Sequence, residues 1–349
     1  MVTMSRWTGR EAGLLRQALR MSVRGYAAHL GVGIRTVSKW ERYGTDTCPW
    51  PDTQAILDTA LSRADAAVQA RFAQLLTGRQ PESPTGADLE TWEDDLERIA
   101  VRLDRQDFTF AGTLLGRRLQ CAHPHRLDRQ GRYLYGRSLV LSGDLRRLQG
   151  TSEDLVTAGR LYSEAHGVFT GLGIPRRAAQ AELSLAVVAE MSGHLTASAF
   201  RYQQLTGDER LGPVDRARAL LWVGTALAKD GRGEFAVQVM RQAAERFEEL
   251  DEPEDWAVAQ QKLALAHRGT GDLTRALAHI GTARSNGRFE TPLQRVQIET
   301  AQAHILLTDP ATRDAGHAML GQASDIAARY GLKHQLRSIE TIRGSEGDT

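Results

Sequence analysis

The feature that most constrains this chain is a glycine pattern in its second half. Gly193, Gly231 and Gly271 each separate two stretches of small and apolar residues: LAVVAEMSGHLTASAFRYQQL, WVGTALAKDGRGEFAVQVMRQA and LALAHRGTGDLTRALAHIGTA. Five residues after the glycines stand Ser198, Ala236 and Ala276, small enough for close helix approach. Nine residues after them stand Tyr202, Met240 and Ile280, sized to fill the space between units. The glycines are 38 and 40 residues apart. Recurrence at such a period is the signature of stacked supersecondary units. Good helix formers (Ala, Leu, Arg, Glu, Gln) dominate with little β-branched alternation, so the units are helix pairs.

The pattern resembles the tetratricopeptide repeat, a helix-turn-helix unit that stacks into a superhelix. Weaker units flank the three clear ones. WEDDLERIAVRLDRQDFTFAGTLLGRRL gives one, and IETAQAHILLTDPATRDAGHAMLGQA gives a last. GRYLYGRSLVLSGDL followed by AGRLYSEAHGVFTGLG gives another, with an expected inserted loop. About six pairs are expected across residues 89–331. In this repeat class the first helix of each unit lines a concave groove. Alignment on the glycines puts Gln180, Leu183, Arg218, Trp222, Thr225, Gln261 and Arg268 near that face. These are the candidate contacts to a peptide or small-molecule effector.

The N-terminal part carries a different signal. SVRGYAAHLGVGIRTVSKWE, residues 22–41, reads as two short helices around a tight turn. Gly31 stands at the reversal, where glycine accepts positive φ at no steric cost. Ala27 is small enough for the second helix to cross closely, and Val37 points back toward it. Leu30, Val32 and Trp40 complete an apolar seam. The other side of the second helix offers Ile34, Arg35, Thr36, Ser38 and Lys39, a set suited to base edges and phosphates.

Residues 10–62 resemble the helix-turn-helix of the Xre and phage-repressor family through LGVGIRTVSKWE. That resemblance implies a DNA-binding head. Arg35, Thr36 and Lys39 would read bases or adjoining phosphates, Ile34 would meet a thymine methyl, and Arg24, Ser38 and Arg42 would hold the backbone. Most members place glutamine where this chain has Val23, so no contact is carried over at that position.

Charge supports the division. Residues 1–44 hold eight Arg or Lys against two Glu, a net of +6, whereas the whole chain of 349 residues is +1. A basic head on a mildly acidic body suits a polyanion-binding module on a carrier. Residues 1–9 read as frayed, with a first helix marked by Leu14, Leu15, Ala18 and Leu19. YGTDTCPWPDT reads as a loop, after which Asp52 or Thr53 would cap a helix carrying Ile56, Leu57, Ala60 and Leu61. Ala64 to Leu76 continues as another helix, and Phe72, Leu75 and Leu76 are expected to anchor it on the repeats. TGRQPESPTGAD, residues 77–88, reads as a linker. The expected all-α organisation is therefore a head over 1–76, a linker over 77–88 and a repeat domain over 89–349.

Chemistry-bearing motifs are missing. GxxxxGK[ST], GxGxxG after a strand, GxSxG and HExxH do not occur. Cys121, His123 and His125 lie close together, but their spacing is not that of a structural zinc site, and a loop is expected. No cofactor, metal or catalytic residue is assigned, and no enzyme is expected. No secretory leader or membrane span is visible, and the two cysteines are far apart, which suits a cytoplasmic, nucleoid-associated protein. Only four of the 44 basic residues are lysine, a bias of high-GC genomes such as those of actinobacteria.

The two resemblances together imply a regulator that joins an Xre-type head to a tetratricopeptide-like sensor. Some such regulators respond to secreted peptides, and actinobacterial members often govern antibiotic production or development. The expected partners are a pseudo-palindromic operator in double-stranded DNA, a second copy of the chain as homodimer, and a peptide or small-molecule effector. The alternatives are a tetratricopeptide adaptor for a partner protein, against which the +6 head weighs, and the antitoxin of a toxin pair.

Overall fold

The computed structural model describes residues 4, 6–77, 86–122, 124–288 and 290–344. These residues form helices and turns only, and the chain divides into two compact units, Met1–Ser83 and Pro84–Thr349.

The first unit holds α1 (Gly9–Ala18), α2 (Val23–Leu30), α3 (Ile34–Tyr43), α4 (Pro51–Arg63) and α5 (Ala66–Thr77). Thr8 caps α1 in a capping box with Glu11, and Ser22 caps α2 by accepting from the Gly25 amide. Gly31 ends α2 at φ +68°, a left-handed conformation that reverses the chain into α3. Ala27, Leu30, Val37 and Trp40 are all buried, so the expected seam between α2 and α3 exists.

Several expectations need correction. Trp7 is only 1% exposed, stacks on Phe72 with ring centroids 5.5 Å apart, and donates its indole N–H to Asp58 at 2.8 Å. The stretch up to residue 9 is thus not simply frayed: an indole with both a ring partner and an acceptor is a core residue. Helix α4 starts at Pro51, with Trp50 as N-cap and no side-chain cap from Asp52 or Thr53, because proline presets φ for the first turn. Phe72, Leu75 and Leu76 pack into the core of this first unit, where Trp7 and α1 supply their apolar surroundings. Of the expected linker, Thr77 ends α5 and residues 86–88 begin the next helix, while 78–85 lie outside the described residues.

The second unit is a stack of helix pairs. They are α6 (Gly86–Asp104) with α7 (Phe108–Cys121), α8 (Arg129–Gln149) with α9 (Ser152–Gly171), and α10 (Pro175–Met191) with α11 (Leu195–Thr206). Next come α12 (Pro213–Lys229) with α13 (Gly233–Glu249), α14 (Pro253–Gly269) with α15 (Leu273–Asn286), and α16 (Pro292–Leu306) with α17 (Arg313–Arg329). A further helix that the sequence did not announce, α18 (Lys333–Gly344), follows. The expected inserted loop is not there: α8 and α9 are long, and only Gly150 and Thr151 separate them.

The repeat logic is visible in the packing. Gly193, Gly231 and Gly271 all have φ between +81° and +85°, and Ser198, Ala236 and Ala276 are fully buried. Tyr202, Met240 and Ile280 fill the interiors of their units. Pro175, Pro213, Pro253 and Pro292 each open the first helix of a pair, where the missing N–H costs nothing.

Successive first helices pack on one another, so they form the crowded inner layer of the stack. The stack also meets itself. The buried Gln106, which sits at φ +56° between α6 and α7, accepts the Leu293 amide of α16 at 3.2 Å. At Gly150 a Cβ would lie 2.4 Å from the Cβ of His334 on α18. The first and last repeats are thus in contact, and they enclose an interior.

Candidate functional site

Two surfaces stand out, one in each unit. In the first unit the exposed face of α3 carries Ile34, Arg35, Ser38, Lys39 and Arg42 at helical spacing, with Thr36 beside them. Val37 and Trp40 point the other way and lock the helix to the core. Ile34 remains 47% exposed, an apolar group placed where a base methyl could meet it. Gly33 caps α3 without a side chain, and the first turn holds no acidic residue, so its free N–H groups favour phosphate. The ion pairs of this unit among the described residues are Arg10–Glu11 and Arg16–Glu41. Arg24, Arg35 and Lys39 therefore keep their charge without a carboxylate, and Arg42 lies over the Tyr43 ring at 5.6 Å. All seven residues expected to meet DNA are exposed.

In the second unit the structure separates the expected groove residues by role. Gln180 donates to Asp215 at 2.9 Å, from α10 to α12. Arg218 grips Asp255 with two bonds of 2.9 and 2.7 Å, from α12 to α14. Gln261 donates to the Gln297 carbonyl at 2.9 Å and Arg268 to the His304 carbonyl at 2.8 Å, both from α14 to α16. These side chains stitch each first helix to the next. Leu183 packs with Tyr202 and Val223 inside the stack. Thr225 is buried, and its hydroxyl donates to the Leu221 carbonyl in its own helix at 3.0 Å. Gln261 is likewise buried and fully used between helices. Trp222 is the expected residue with a ring still partly open.

The interior holds polar groups that the glycine alignment did not reach. Glu190 is 7% exposed and is held by two donors: the Tyr202 hydroxyl at 2.9 Å and the Lys229 ammonium at 2.8 Å. Burial and that carboxylate keep the Tyr202 phenol well above the ordinary tyrosine range. One repeat earlier, Tyr162 donates to Asp144 at 2.7 Å, and Arg147 donates to both partners at 3.3 Å. Beyond them Lys262 places its ammonium 5.7 Å from the centre of the Trp222 ring.

The last helix closes on the same region. His334 lies within the fields of Lys229, Glu190 and Arg147, and burial followed by Lys229 pushes its imidazole down to about 4. His304 is held down to about 4 by burial and then Arg268. Both rings are neutral at physiological pH, so the interior cations are arginine and lysine. Where the first repeats face the last, a cavity of about 570 Å³ opens, lined by Asp104, Leu141, Asp144 and Arg147 on one side and by Glu254 and Gln294 on the other. The sequence pattern marked Tyr202 as a packing residue but did not reveal that its hydroxyl meets Glu190 on the preceding helix.

Among the described residues no group of His, Cys, Asp and Glu could hold a metal ion, and His123 lies outside them. No described helix is long and apolar enough to cross a membrane.

No family model and no curated protein matches the chain. Solved structures do. The Rap conjugation gene regulator of plasmid pLS20, in complex with the Phr* peptide, aligns at a TM-score of 0.50 and 15% identity over 95% of this chain and 79% of that one. A Rap protein complexed with competence and sporulation factor aligns at 0.47 and 14% identity over 97% and 98%. Bacillus thuringiensis PlcR, in complex with the peptide PapR7 and DNA, aligns at 0.40 and 12% over 79% and 95%. The likeness to the pLS20 regulator shows an all-α fold with a tetratricopeptide-like superhelix.

Proposed function

We propose that this chain is a sequence-specific DNA-binding transcription regulator whose repeat domain receives a peptide or small-molecule signal in its interior. The observation that carries the DNA half is the outer face of α3. Unpaired cations and small polar groups share one exposed helix face while Val37 and Trp40 fix it from behind. A helix that served packing alone would gain nothing from three cations left without a counter-charge. The signal half is supported by the buried Tyr202–Glu190 pair, the partly buried Tyr162–Asp144 pair and the open cavity where the first repeats face the last. The pLS20 regulator, which has the same fold, is seen with a peptide. On this reading the protein catalyses no reaction, needs no cofactor, and acts in the cytoplasm on nucleoid DNA, in an actinobacterium controlling secondary metabolism or development.

The working form on this reading is a homodimer. One such head reads only a few base pairs, and two heads about 34 Å apart, or a multiple of it, supply the rest. The test is selection of sheared genomic DNA by the full-length protein, followed by footprinting. The expected result is a protected pseudo-palindrome with half-sites in that register, bound by two chains. Recovery of DNA without a common sequence would refute the proposal.

A further inference from the structure

Helix α4 carries a face that its own chain leaves uncovered. Leu57 and Leu61 turn into the core of the first unit. On the opposite side Asp52, Ala55, Ile56, Thr59 and Arg63 are exposed, with Ala60 half-buried beside them. Ile56 is 38% exposed, and the Thr59 hydroxyl already donates to the Ala55 carbonyl at 2.8 Å. The middle of this face is therefore small and apolar, and its charges stand at the two ends. A surface helix that meets only water carries charged or polar residues along the whole of that side. Beside the face a groove of about 580 Å³ opens, where Leu30, Ala64 and Val68 join Ile56 and Ala60 in the lining. No residue of α3 lines it.

The face is complementary to itself. Two copies of α4 laid antiparallel, about a two-fold axis between Leu57 and Asp58, bring Asp52 of each against Arg63 of the other. The same register sets Ala55 against Ala60 and Ile56 against Thr59. A parallel arrangement would instead oppose Asp52 to Asp52 and Arg63 to Arg63. Among the described residues neither Asp52 nor Arg63 has an ion-pair partner, since the pairs of this unit are Arg10–Glu11 and Arg16–Glu41. The two alanines let the helices approach closely, and Ile56 supplies the bulk that the groove takes up. A two-fold interface needs a patch of this kind, because the same surface serves both copies. We propose that α4 is the pairing surface of the head, and that its occupant is α4 of a second copy of this chain. This rests on the reading that the protein works as a homodimer on DNA, and it names the surface. The exposed residues of α3 stay outside the contact and remain free for DNA.

The test reverses one end of the face at a time, in the full-length protein. Arg63→Glu would set an acid against Asp52 in its own homodimer, and Asp52→Lys would set a cation against Arg63. In an equimolar mixture of the two variants every end meets its opposite again. Each sample is titrated onto the selected operator and onto a fragment holding a single half-site. Wild type is expected to bind the operator as two cooperating chains. Each variant alone should lose at least tenfold on the operator and keep its affinity for the half-site, which shows that the head is folded. The mixture should recover to within about threefold of wild type, because like charges suppress a contact that opposite charges restore. A helix-end effect on folding would not be rescued by mixing. Cooperative binding by each variant as strong as wild type, or a mixture no better than its components, would overturn the assignment and leave the homodimer with another surface. A wild type that binds without cooperation and sediments as one chain would overturn it together with the homodimer. If selection yields no common sequence, sedimentation of the same samples decides. Two-chain mass for wild type and mixture, with one-chain mass for each variant, supports the assignment, and equal masses overturn it.

Discussion

Trp7→Ala is expected to destabilise the first unit by about 3–5 kcal/mol, the usual range for removing a buried aromatic side chain. The indole is 1% exposed, lies against Phe72 of α5, and donates to Asp58 of α4. The Trp7 amide also donates to the Gln54 side chain at 3.3 Å. One residue thus ties the N-terminal segment to both α4 and α5. Truncation leaves a cavity beside Phe72, whereas the exposed Asp58 carboxylate turns to water at little cost. A unit of this size has a small core and marginal stability, so a loss of that size is comparable with the whole. Binding to the selected DNA should disappear, although Trp7 is not one of the residues proposed to meet it. Trp50→Ala removes the same side chain type at 83% exposure and should leave melting and DNA binding within experimental error. The check is thermal unfolding of the full chain followed by tryptophan fluorescence, with DNA affinity measured at low temperature. An unchanged melting profile for Trp7→Ala would remove it from the core.

Arg35→Ala should weaken binding to the selected operator by about 1–3 kcal/mol, roughly tenfold to a hundredfold, and relax preference at one base pair of each half-site. The side chain leaves the first turn of α3, is exposed, and has no carboxylate to hold it back. Arg42→Ala acts at the far end of the same helix, where the guanidinium rests on Tyr43. It should weaken all sequences alike, because a phosphate contact carries no base information. Competition binding against single-base operator variants separates the two patterns. A uniform loss for Arg35→Ala would move it from the bases to the backbone.

The sequence exposed the repeat through Gly193, Gly231 and Gly271, because a left-handed turn leaves a residue-type mark that spacing reveals. Pro175, Pro213, Pro253 and Pro292 mark the other end of the first helices at intervals of 38, 40 and 39 residues, and they would have sharpened the boundaries. The turn from α2 to α3 was equally legible, since Ala27, Gly31 and Val37 are fixed by one close helix crossing. The place of Trp7 was not legible, because its partners are about 50 residues or more away in sequence. The partners of the groove residues were hidden for a similar reason. Polar residues on the first helices reach to the next repeat, and whether Gln261 meets a ligand or the Gln297 carbonyl depends on how successive helices are spaced.

The most direct test of DNA recognition through α3 is an anisotropy titration of the selected operator at several salt concentrations. Each neutralised phosphate contributes close to one to the slope of log K against log salt. The dimer should give a slope of about −4 or steeper, and Arg42→Ala should make it shallower by about 2, one for each head in the dimer. A weak slope, or one that Arg42→Ala leaves unchanged, would contradict the assignment of this helix to DNA.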